Sequence, residues 1–141
     1  MISRSWRDSA GLALYLLVLG DALVFLIFAA GGRNQHHESG GLVDVVTTAL
    51  PFLVAWFVVA PWFGAFRSPR ESSVRAMAQR TALAWAVAWV VGLILRVVVQ
   101  QRGIDGAFPA IALLFNAVLL LGWRSAFTWY LARPRGRPAA G

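Results

Sequence analysis

The sequence predicts an all-α integral membrane protein, a bundle of four transmembrane helices with both termini cytoplasmic. Composition is the first reason: 59% of the residues are hydrophobic and 13% charged, against about 25% charged in a soluble domain. The second is segment length. Four apolar stretches, 11–30, 42–66, 83–100 and 107–132, reach or approach the roughly 20 residues that a helix needs to cross a hydrocarbon core. Inside lipid only a helix satisfies such a stretch's backbone. The third is the placement of the basic residues, all of them Arg. Arg4 and Arg7 precede the first span, Arg67, Arg70, Arg75 and Arg80 separate the second from the third, and Arg133, Arg135 and Arg137 follow the fourth, while the other two connections hold Arg33 and Arg102. Nine against two fixes one orientation by the positive-inside rule. The expected location is therefore a membrane, which the chain crosses several times.

Residues 1–132 read as one domain and 133–141 as a disordered basic cytoplasmic tail, because Pro134 and Pro138 stop a helix. The first span is too long in its apolar part for a cleaved signal peptide and carries Asp21. In the second span, Pro51 and Pro61 each remove a backbone donor and predict kinks, with Thr47 and Thr48 one turn upstream as replacement partners. Before the third span, Ser68, Pro69 and Glu71 fit a capping box with a proline at the first helical position, so a helical turn is expected to start there. Within that span, Ala84, Ala88 and Gly92 repeat every four residues, a pattern that lets helices approach closely. It serves either packing inside one bundle or a homodimer.

Function, where it is legible, lies with ionisable groups at membrane depth. An Asp or Arg at a helix centre costs roughly 2.5–3.5 kcal/mol on insertion scales and calls for a partner or water. Three such residues occur: Asp21, Arg96 and Arg124. Counting the helical rise puts Asp21 about 14 Å from the inner edge, Arg96 about 20 Å outward from Leu83, and Arg124 about 22 Å inward from Pro109. On this arithmetic Arg96 reaches Asp21 or Asp44, and Arg124 snorkels to the inner headgroups. Asn116 shares a helical face with Trp123 and is expected to bond between helices.

The outer connection carries His36 and His37. Imidazole titrates near neutrality, so a pH-sensing pair is one reading and a solvated loop the other; adjacent histidines rarely aim at one metal. With no Cys, thiol redox and thiolate metal sites are excluded. The sequence has no nucleophile-base signature, Walker loop, dinucleotide fingerprint or zinc-protease helix. No enzymatic activity, metal or cofactor is expected. The net charge of +7 follows topology, so the partners expected are the lipid bilayer, a second copy, and a small ion or solute, with no nucleic acid.

In order along the chain, Gly20-Asp21, a Gly-rich outer loop with His36 or His37, Thr48-Ala49-Leu50-Pro51-Phe52 followed by Trp56 and Gly64, Trp89 through Arg96 with Gly92, and Gly122-Trp123-Arg124 resemble a prokaryotic membrane family, the domain of unknown function 3054. The resemblance spans roughly residues 9–124. It implies four membrane helices in the plasma membrane of a prokaryote, multi-pass, and brings no activity with it. Two functions stay open. One is a small transporter or channel-like protein in which Asp21 and Arg96 line a watered passage with Asn116. The other is an accessory or scaffold subunit of a membrane complex, with the same charges acting as a structural network.

Overall fold

The computed structural model describes residues 2–34, 41–104 and 106–133. His36, His37 and the tail from 134 onward lie outside the described residues. Four helices follow in order: α1 (Ile2–Asn34), α2 (Leu42–Val59), α3 (Val74–Val98) and α4 (Phe108–Ala132), with a 3-10 turn (Ala60–Phe63) after α2 and no strand among the described residues. Their apolar parts, Ala10–Gly32, Leu42–Phe63, Val74–Val98 and Phe108–Ala132, run 22 to 25 residues. At 1.5 Å per residue that is about 33–38 Å, enough to cross a bilayer. Apolar side chains such as Leu12, Leu42, Leu83, Leu114 and Val118 remain exposed around the outside, as a lipid-facing surface requires.

Each helix packs on its sequence neighbours, and α1 closes the ring against α4. Phe25 and Trp85 meet across the centre at 5.5 Å between ring centroids. Phe28 of α1 touches Phe108 and Phe115 of α4, whereas Asp21, earlier in α1, meets Arg124, later in α4. The two helices are thus antiparallel, and the start of α1 lies at the same end as the close of α4.

Lipid tails are as apolar as Leu, so little hydrophobic force drives helices together in a membrane, and close packing and polar contacts must do so. The Ala84, Ala88 and Gly92 stripe is buried inside this bundle. A Cβ on Gly92 would lie 2.6 Å from the Phe52 ring, so the glycine lets α2 and α3 close. That packing is internal to one copy. Between α3 and α4, the indole N–H groups of Trp85 and Trp89 donate to the carbonyls of Leu113 (2.9 Å) and Pro109 (3.0 Å).

Each proline removes a backbone donor, and the two are accommodated differently. Pro51 lies inside α2 and offers no N–H to the Thr47 carbonyl; Gln100 Nε2 donates to that carbonyl at 2.6 Å. Thr47 itself bonds further back, to the Val43 carbonyl. Pro61 opens the 3-10 turn, which Gly64 ends in a left-handed conformation (φ 66°). Gly64 N–H then bonds the Pro61 carbonyl and Ala65 N–H the Ala60 carbonyl, the paired bonds of a Schellman ending, with glycine where a side chain would be strained.

The start of α3 corrects the sequence reading. Glu71 N–H bonds the Ser68 carbonyl and so closes a turn over Pro69 instead of opening a helix. The helix begins at Val74, capped by Ser73, whose Oγ accepts from Ala76 N–H at 3.1 Å. One continuous helix then runs to Val98, so the span marked at 83–100 is the later part of a helix that begins nine residues earlier.

Candidate functional site: a buried ion pair inside the bundle

The buried line of α4 is Ala112, Asn116, Leu120, Arg124 and Thr128, one residue per turn. That spacing keeps one side of the helix against its neighbours and carries Arg124 into the interior. Opposite it on α1 is Asp21. Both residues are completely buried, at 0% exposure. Arg124 Nε donates to Asp21 Oδ1 at 2.9 Å and Arg124 Nη2 to Oδ2 at 2.6 Å, the parallel two-bond geometry that a guanidinium and a carboxylate share.

Other elements satisfy what the pair leaves over. Trp56 of α2 donates its indole N–H to Asp21 Oδ2 at 3.0 Å. The Schellman ending at Gly64 presents the Ala65 carbonyl, which accepts from Arg124 Nη1 at 2.6 Å, and Met77 Sδ of α3 lies 3.6 Å from the same nitrogen. The rings of Trp56 and Phe66 stand 4.9 Å and 5.0 Å from the guanidinium carbon, within cation-π range. All four helices and the α2–α3 connection therefore meet at one charge pair. Gly20 makes room for this: a Cβ there would collide with the Trp123 ring.

Sequence reasoning selected the right acid and paired it with the wrong base. Asp21 is bound to Arg124, so Arg124 does not snorkel. Depth explains the outcome: Arg124 is eight residues from the end of α4 at Ala132 and Asp21 eleven from Ala10, about 12 Å and 16 Å from one edge. Arg96 sits at the opposite end of α3, where Nε donates to the Gly103 carbonyl at 3.3 Å and the guanidinium lies 4.1 Å over the Phe108 ring. Asp44 is exposed in the first turn of α2. Asn116 is fully buried, but its Nδ2 bonds the Ala112 carbonyl of its own helix at 2.9 Å, so the bond is intrahelical.

Trp56 and Ala65 were not anticipated. A signal existed for Trp56: an indole N–H deep in an apolar span needs an acceptor, and Asp21 is the acid at that depth. The Ala65 carbonyl had none, because its direction depends on the turn geometry that Gly64 creates.

These features define a multi-pass membrane protein whose four helices are tied by an ion pair in the interior. The chain belongs to the family described as protein of unknown function (DUF3054), whose model matches residues 18–127 and so takes in both charges. No curated protein and no solved structure matches the chain.

Proposed function

We propose that the protein is a non-transporting accessory or scaffold component of a prokaryotic plasma membrane, with both termini and the α2–α3 connection on the cytoplasmic side. The observation that carries this reading is the saturation of the Asp21–Arg124 pair. Both carboxylate oxygens and all three guanidinium nitrogens have protein partners, and neither residue is exposed. A site that binds and releases an ion keeps some of that capacity for its substrate. Here the charges hold helices, and the outer surface is left to meet a partner or a second copy.

The decisive measurement is solute and ion flux in proteoliposomes, alongside affinity purification from native membranes. The expected result is no flux above empty vesicles and a stoichiometric membrane partner. Flux that disappears in an Asp21→Asn variant of unchanged stability would overturn the reading.

One cavity bears on the alternative of transport. A cavity of about 110 Å³ between α3 and α4, lined by Thr81, Trp85, Leu113, Ala117, Leu120 and Leu121 among others, ends one helical turn from Arg124. Its walls are apolar apart from Thr81, which suits a hydrocarbon chain better than an ion.

A further inference from the structure

The end of the bundle that carries the α2–α3 connection holds more positive charge than the fold consumes. Arg67, Arg70, Arg75 and Arg80 fall within fourteen residues with Glu71 as the single acid. The buried Asp21–Arg124 pair uses none of these four arginines. Arg80 is turned back along its helix so that Nη1 donates to Ser72 Oγ at 3.1 Å, and Ser72 Oγ donates in turn to the Ser68 carbonyl at 3.0 Å. This relay pins one guanidinium over the turn with its remaining N–H groups unspent. Arg70 Nε is enclosed by protein and has no acceptor.

The same end has an aromatic rim. Trp62, just past α2, is 87% exposed, and Tyr130 near the close of α4 is 67% exposed. Arg133 stacks on Trp129 at 3.5 Å. Exposed indole and phenol rings beside arginines are the composition of the membrane-water boundary, where the anions at hand are phosphodiesters. Guanidinium groups match phosphate oxygens with paired N–H donors.

We propose that the segment from Arg67 to Arg80 is a binding site for a phosphate-bearing anion, and that its occupant is the headgroup of an anionic phospholipid. The lipid assignment rests on the aromatic rim, which a soluble phosphate would leave unused. Ser72 is a positioning residue, since it aims Arg80 without touching the anion.

The test is native mass spectrometry of the full chain extracted from nanodiscs of equal phosphatidylglycerol and phosphatidylcholine, with thermal melting of each variant as the folding control. Wild type should retain the anionic lipid preferentially, and the preference should fall by about fivefold for each Arg neutralised in Arg75→Gln and Arg80→Gln. Ser72→Ala, which keeps every charge, should lose part of the preference by releasing Arg80. Retention unchanged in the folded double-Arg variant overturns the site. A melting shift in lipid-free detergent with inorganic phosphate as large as the shift with phosphatidylglycerol overturns the lipid assignment.

Discussion

Removing either half of the Asp21–Arg124 pair should cost far more than removing both. In Asp21→Asn, the amide presents an NH2 group where a carboxylate oxygen accepts from Arg124 or Trp56, so donor faces donor and a full positive charge loses its counter-charge in a dry interior. Breaking a buried pair from one side costs about 3–5 kcal/mol, a large share of the roughly 5–15 kcal/mol that holds a typical fold. Arg124→Gln strands the carboxylate instead and should cost a similar amount; it also leaves the Ala65 carbonyl without its donor. The double variant Asp21→Asn/Arg124→Gln contains no buried charge, and two amides hydrogen-bond each other readily. Its cost should fall below the sum of the singles by about 3 kcal/mol, the upper part of the range seen for directly contacting residues. Reversible unfolding in mixed micelles, read by tryptophan fluorescence and far-UV circular dichroism, measures all four corners of the cycle. Single costs that add to within about 0.5 kcal/mol would show that the charges do not depend on each other, and the structural role assigned to the pair fails.

Three smaller perturbations test the contacts around that pair. Trp56→Phe keeps one aromatic ring but removes the pyrrole half with its N–H to Asp21, and the lost bond to a charged group alone should cost about 1.5–3 kcal/mol; a neutral effect in the same unfolding assay contradicts this. Gln100→Leu should cost about 1 kcal/mol by leaving the Thr47 carbonyl bare, and that cost should shrink in a Pro51→Ala background, where the backbone regains its own donor. An equal cost in both backgrounds rules out the repair role of Gln100. Arg96→Gln should destabilise by only about 1–2 kcal/mol, the scale of the cation-π contact with Phe108, and so less than Arg124→Gln; reversed ranks would restore Arg96 as the central base.

The spans were legible because length and hydropathy are local properties, and a 22- to 25-residue apolar helix has few other uses. Helix starts were less so. Ser68 and Ser73 both suit a cap, and the choice fell to the Glu71 to Ser68 backbone bond, which the residue pattern alone does not encode. The pairing of Asp21 failed for a different reason. Helical rise gives depth but not direction, and at similar offsets two arginines compete for one acid. Direction was recoverable from α4 itself, where Asn116 and Arg124, eight residues apart, fall on one buried line with Leu120 between them. The Ala84, Ala88 and Gly92 stripe could be recognised but not assigned, because its partner is the ring of Phe52 on a neighbouring helix.

Asp21 and Arg124 are separated by 103 positions in the chain. A ribosome working at about 5–20 residues per second needs roughly 5–20 s to travel from one to the other. Throughout that interval α1 exists with its carboxylate and without its counter-ion, so the first helix is at its least comfortable in lipid while the rest of the protein is being made. Only the last helix relieves it. A chain halted before Arg124 keeps an acid in the hydrocarbon with the Trp56 N–H to hold but no counter-charge, and arrival of α4 becomes the event that commits the other three helices to one arrangement.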